Sequence, residues 1–245
     1  MTTTFVLVHG SLGGSWVWQK VAPLLRAGGH QVYTPGLTGL SDRSHLVDCG
    51  VDLNTHITDV ANLLFYEDLS DVALVGHSYS GMVITGVAAK VPERLGQLVY
   101  LDAYVPEDGQ SESDLWPAEV RAARQADAAA NRGLTQPPPP AILGITDPEM
   151  AAWVKARWTP QPLTTYNQPV PSGNARSAAL PRVYIHCMGG PSTTTPGFAP
   201  FAGKAREAGW EVHELATGHM AMLTAPHDLA ELLLGLARTR AQHRV

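Results

Sequence analysis

Two cysteines, Cys49 and Cys187, are too few among 245 residues for a disulfide framework and are not spaced for a metal, so both read as buried thiols. No stretch approaches 18 apolar residues, which excludes a helical membrane span and leaves no membrane partner. Charge is sparse as well, with 16% charged residues and a net balance of −5. No Lys/Arg cluster is interleaved with aromatics, which argues against nucleic acid as a partner. The opening Met1-Thr2-Thr3-Thr4 lacks the basic region and long apolar segment of a signal peptide, so a cytoplasmic protein is expected. Neither G-x-G-x-x-G nor a Walker lysine occurs, which argues against a phosphate loop. The most telling gap is in acids: no Asp or Glu stands between Glu149 and Glu207.

What is present is a large apolar fraction, 44%, enough for the core of one α/β domain. Short β-branched runs alternate with helical stripes. Phe5–Val8, Val32–Tyr33, Val72–Val75, Leu98–Leu101, Arg182–Cys187 and Trp210–Leu215 read as strands. Between them lie stripes such as Val17, Val21, Leu24 and Leu25, or Ile57, Val60, Ala61 and Leu64 with Asn54 or Thr55 as cap. Strands alternating with helices of this length predict a mostly parallel sheet with helices on both faces. The loop from Pro35 to Asp42 is expected to wall the crevice at the strand ends.

The chain is organised around Asp71 to Val91. There Gly76-His77-Ser78-Tyr79-Ser80-Gly81 separates a buried strand from a helix of small and apolar residues. Such a sharp strand-to-helix turn strains its apex, Ser78, and lifts that hydroxyl above the sheet edge. The Tyr79 N–H points the same way from a helix start. The pattern is G-x-S-x-G with Ser80 in place of the second glycine. Upstream, His9-Gly10-Ser11-Leu12-Gly13-Gly14 follows the first strand, and the Ser11 N–H is the candidate partner of Tyr79 in an oxyanion hole. Downstream, Thr217-Gly218-His219 follows the last strand, where His219 would serve as general base to Ser78.

From Tyr104 to about Leu180 the alternation is lost, and Ala, Pro and Trp dominate, including four prolines at 137–140. This stretch, residues 104–180, reads as a helical cap inserted between core segments 1–103 and 181–245. It carries one helix over about Pro117–Arg132 and another opened by Asp147-Pro148-Glu149, and the prolines would form a rigid polyproline spacer. Trp116, Trp153 and Trp158 from the cap, with Leu12 and His77 from the core, are the candidate substrate-binding residues. Few charges lie near them, so a small apolar, even aromatic, substrate is expected.

These motifs, together with Tyr100-Leu101-Asp102-Ala103-Tyr104-Val105-Pro106, resemble the α/β-hydrolase superfamily, and within it the small methylesterase and hydroxynitrile lyase-like branch and related bacterial esterases. The resemblance implies an α/β-hydrolase fold, a Ser-His-Asp triad, an oxyanion hole after His9-Gly10 and after the nucleophile, no cofactor and no metal. It also implies an Asp after the penultimate strand, where this chain has Cys187-Met188-Gly189-Gly190-Pro191. Asp102 at the end of the preceding strand is a candidate replacement. It reads equally as a strand-end carboxylate capping a turn, with Glu107 and Asp108 as outside candidates. Three classes follow: a carboxylic ester or lactone hydrolase acting through an acyl-enzyme on Ser78; a lyase, cyclase or rearrangement enzyme using Ser78 and His219 as an acid/base pair; and a ligand-binding protein without turnover. A homodimer stays open.

Overall fold

A computed structural model of the chain describes residues 2–47, 50–189 and 197–242. Cys49 and the segment from Gly190 to 196 lie outside the described residues. The elements follow in chain order as β1 (Thr4–Val8), α1 (Val21–Ala27), β2 (Gln31–Tyr33), α2 (Leu53–Tyr66), β3 (Val72–His77), α3 (Ser80–Lys90) and β4 (Leu95–Leu101). Next come α4 (Ala118–Ala130), β5 (Leu134–Thr135), α5 (Pro148–Lys155), β6 (Gln161–Pro162), α6 (Thr164–Asn167) and α7 (Ala175–Ala178). The chain closes with β7 (Arg182–Cys187), α8 (Ala199–Glu207), β8 (Glu211–Leu215), α9 (Ala221–Thr224) and α10 (Pro226–Gln242).

Six strands form one parallel sheet in the order β2-β1-β3-β4-β7-β8, and β5 and β6 make a separate antiparallel pair. The period-2 alternation of each strand divides the core into two layers. Val6, Val8, Leu74, Leu98 and Tyr100 pack with α2, α3 and α8, while Phe5, Leu7, Ala73, Val75, Val99 and Leu101 pack with α1 and α10. Because both faces are covered, the central strands carry almost no polar residue. Among the described residues no helix is long and apolar enough to cross a membrane.

Three local expectations need correction. The N-cap of α2 is Asp52: its carboxylate accepts the Thr55 N–H at 2.8 Å while the Thr55 hydroxyl accepts the Asp52 N–H at 3.3 Å. An acid three residues before a hydroxyl satisfies two backbone donors at once, which neither Asn54 nor Thr55 alone does. The loop over 35–42 is not a crevice wall but core, with Leu37 and Leu40 fully buried. Asp59 ties it down through Thr38, whose N–H and hydroxyl donate at 2.7 and 2.8 Å. The proline run is extended only up to Pro139, then tightens into a 3-10 turn over Pro140–Leu143 that Gly144 ends at φ +81.

Candidate active site

The turn from β3 into α3 holds Ser78 at φ +56, a left-handed conformation rare for a residue with a Cβ. Three backbone bonds keep it there. The Ser78 N–H donates to Leu101 O at 3.2 Å, and its own carbonyl accepts from Gly81 N–H at 3.0 Å and Tyr104 N–H at 3.2 Å. A Cβ at Gly81 would fall 1.9 Å from the Tyr104 carbonyl oxygen, so the glycine this turn requires is at 81. Ser80, one place earlier, is tolerated and used: its buried hydroxyl donates to the His9 carbonyl, joining α3 to the loop after β1.

Asp102 lies just past β4 at φ +41, with its N–H donated to Ile185 O at 2.7 Å. Its carboxylate bridges two elements. Oδ1 accepts the Cys187 N–H at 3.1 Å, and Oδ2 stands 2.7 Å from His219 Nδ1. A carboxylate only accepts, so the bond fixes the proton of a neutral His219 on Nδ1 and leaves Nε2 as the basic nitrogen. The His219 ring stacks on Phe198 with centroids 4.8 Å apart and planes 4° apart, and lies 4.5 Å from the His77 ring.

His77 is more than a wall. Its Nε2–H donates to the His219 carbonyl at 2.9 Å, which anchors the histidine loop to the end of β3. Burial, with His219 beside it, holds its pKa well below the usual histidine range, so the ring stays neutral. His9 is a structural pin. Its Nδ1–H donates to Gly10 O at 2.8 Å and its Nε2 accepts the Leu37 N–H at 3.2 Å. The Tyr79 side chain is buried and bonded to His56 Nδ1 at 2.8 Å, leaving only its backbone N–H for the site. Burial pushes His9 and His56 down to about 4.

The loop after β1 turns at Leu12, φ +63. The Leu12 N–H donates to Gln161 Oε1 at 2.8 Å and its carbonyl accepts the Thr159 N–H at 3.0 Å. Gln161 is fully buried and its Nε2 donates to Thr165 Oγ1 at 2.8 Å. The Gln161 amide thus consumes the Leu12 N–H and fixes the loop that presents Ser11.

Ser11, Leu12, His77, Ser78, Trp116, Trp158 and His219 all line one cavity. It has about 90 Å³ of room for water centres, several times the ~10–15 Å³ that one water needs. Trp153 does not line it. That ring packs edge-on against Trp16 at 5.0 Å with Arg157 over it at 4.2 Å, because α5 turns its aromatic side to the first 3-10 turn of the core. Glu112, unforeseen from the sequence, does line the cavity and is 3% exposed. Its neighbours Ser111, Ser113 and Asp114 give it the look of a solvated turn, so no sequence signal marks it. Among the described residues no group of three or more His, Cys, Asp or Glu could hold a metal.

The profile of the alpha/beta hydrolase family matches residues 5–232. A carbendazim hydrolyzing esterase of Nocardioides sp. (strain SG-4G) is 41% identical over 242 residues, covering 95% of this chain and 98% of that protein. Methylesterase 10 of Arabidopsis thaliana is 28% identical over 95% of this chain and 91% of its own. Among solved structures, an extracellular alpha/beta-hydrolase from a Paenibacillus species is similar at a TM-score of 0.83 and 28% identity, over 95% of this chain and 98% of that one. That hydrolase is described as sharing structural and functional homology with tobacco salicylic acid binding protein 2.

Proposed function

Because the chain belongs to the alpha/beta hydrolase family, we propose that it is a serine esterase cleaving small carboxylic esters through an acyl-enzyme on Ser78. The observation that carries this reading is the 2.7 Å contact of Asp102 Oδ2 with His219 Nδ1, in a molecule where Ser78 and His219 line the same cavity. In this reading the Ser78 hydroxyl attacks the ester carbonyl as His219 Nε2 takes its proton, and Asp102 stabilises the imidazolium that forms. The Ser11 and Tyr79 N–H groups receive the oxyanion. His219 then returns the proton to the departing alcohol, and water admitted to the cavity releases the acid by the reverse sequence. Residues 104–180 serve as the cap that shapes the acyl and alcohol sites. The lyase reading rested on the likeness to hydroxynitrile lyases and, with the binding-protein reading, gained some weight from the missing acid. The contact of Asp102 with His219 removes that added weight, and the esterase relatives favour hydrolysis.

A fluorophosphonate should label the wild type and not Ser78→Ala, while a panel of methyl and aryl esters is hydrolysed by the first alone. A folded wild type that takes no label defeats the nucleophile assignment.

A further inference from the structure

Glu112 is a buried carboxyl that the proposed mechanism does not use. It sits on a turn locked by Ser111 and Asp114, with the Ser111 N–H donating to Asp114 Oδ2 at 2.9 Å and the Asp114 N–H to Ser111 Oγ at 3.2 Å. The lock drives the intervening side chain inward, beneath Trp116. Glu112 Oε1 accepts the Trp116 Nε1–H at 3.2 Å, a donor shared with Tyr104 OH at the same distance. Oε2 is buried with no hydrogen-bond partner in the protein, and Glu112 lines the cavity. Buried polar atoms are nearly always paired, so an orphan carboxyl oxygen in the wall of a ligand cavity points to a group brought by the ligand.

The chemistry of that group follows from the proton. Burial pushes the Glu112 carboxyl up to about 8 even though Arg124 pulls it down. At neutral pH it is therefore an acid. Since Oε1 already accepts from Trp116, the proton belongs on Oε2, which presents a hydroxyl donor. The walls around it are aromatic: Trp116 and Tyr166 stand 5.2 Å apart at 53°, with Tyr104 adjoining. Such walls take a flat ring. An acceptor built into the plane of such a ring is a nitrogen lone pair. The ester carbonyl cannot be this acceptor, because it must lie at Ser78.

We propose that Glu112 determines specificity by donating its Oε2 hydroxyl to a ring nitrogen of a flat N-heteroaromatic ester whose carbonyl lies at Ser78. This deepens the esterase reading and rests on it. A buried donor meeting a matched acceptor favours the nitrogen ring over its carbocyclic twin by about tenfold or more.

The test compares kcat/KM for the positional series of methyl quinolinecarboxylates with that for the matching methyl naphthoates, in the wild type, Glu112→Gln and Glu112→Met. The ratio, not the absolute rate, is the readout, so a general loss in a variant divides out. The wild type should prefer at least one quinoline isomer about tenfold or more, Glu112→Gln should keep part of that preference, and Glu112→Met should bring the ratio to about one. Calorimetric Kd values for the same pairs in Ser78→Ala, with and without Glu112→Met, repeat the comparison without turnover. If neither ester is hydrolysed the esterase reading falls, and the Kd ratio still judges Glu112. A wild-type ratio near one for every isomer means that water satisfies Oε2 and overturns the proposal whether or not the variants fold. So does a preference that survives in a folded Glu112→Met.

Discussion

At the scale of single residues, Asp102 and Glu112 are two buried carboxyls given opposite work by their surroundings. Asp102 has a donor on each oxygen, from Cys187 and from His219. Asp102→Asn keeps the shape but cannot hold the Nδ1–H tautomer or offset an imidazolium, so kcat should fall by about 10³ to 10⁴ with the fold intact, as steady-state kinetics beside circular dichroism would show. A variant within about tenfold of wild type would leave the carboxylate a purely structural role. Glu112 has one occupied oxygen, and burial raises it from 4.5 to about 8. Below about pH 4.5 folded and unfolded chains are both protonated there. As pH rises toward 8 the unfolded chain gives up a proton that the folded chain keeps, so stability is lost across that window and the loss is complete above it. Each pKa unit is worth about 1.4 kcal/mol, which makes the total on the order of a few kcal/mol. Glu112→Gln escapes this penalty. Its Tm relative to wild type should therefore climb between pH 5 and pH 8.5, and a flat difference would show that the carboxyl is not buried as acid. Ser78 and His219 are legible in the sequence because one sits in a motif and the other after the last strand. Glu112 is not, because only packing distinguishes it from its solvated neighbours.

At the scale of elements, the proposed catalytic groups sit at the carboxyl ends of β1, β3 and β4 and in the loop after β8, which a parallel sheet brings to one edge. That much follows from the alternation of strands and helices. What the sequence hid is how the elements hold one another, since the bonds join residues far apart in the chain. Ser80 ties α3 to the loop after β1, His77 ties β3 to the loop of His219, and Gln161 of β6 reaches across 149 residues to Leu12. Asp102 was readable as a candidate because the stretch from 150 to 206 holds no acid and because it ends the strand expected beside that of Ser78. The Gln161 contact carries a prediction of its own. Gln161→Leu removes the acceptor of the Leu12 N–H and frees the loop that presents Ser11, so kcat should drop about ten- to a hundredfold with KM little changed. Gln161→Glu retains an acceptor oxygen and should recover part of the rate. If both variants lose stability with kcat intact, Gln161 only pins the cap.

At the scale of the whole molecule, residues 104–180, the proposed cap, are fastened to the core through both of its layers. Trp116 and Tyr166 pack into the layer of α2 and α3, while Val154 and Trp158 pack into that of α1 and α10. One set of tryptophans therefore serves two ends, which their sequence positions could not separate. Trp158 is buried and lines the cavity beside Leu12, whereas Trp153 is half-buried, outside the cavity, and clamped between Trp16 and Arg157. The two should respond differently to truncation. Trp153→Ala removes an edge-to-face contact and part of a buried ring, about 2 kcal/mol, which for a chain of this size lowers Tm by about 4–8 °C. It should leave the relative kcat/KM values of an aryl ester series unchanged, because nothing it touches reaches the substrate. Trp158→Ala also lowers Tm, but it opens the cavity wall next to the oxyanion loop, so bulkier esters should gain on smaller ones by about tenfold, the worth of a side chain's apolar contact in a pocket. Melting curves and a graded ester series on both variants decide the matter. A specificity shift in Trp153→Ala as large as that in Trp158→Ala would mean that the cap moves as one rigid lid, and that its inner and outer tryptophans cannot be assigned separate roles.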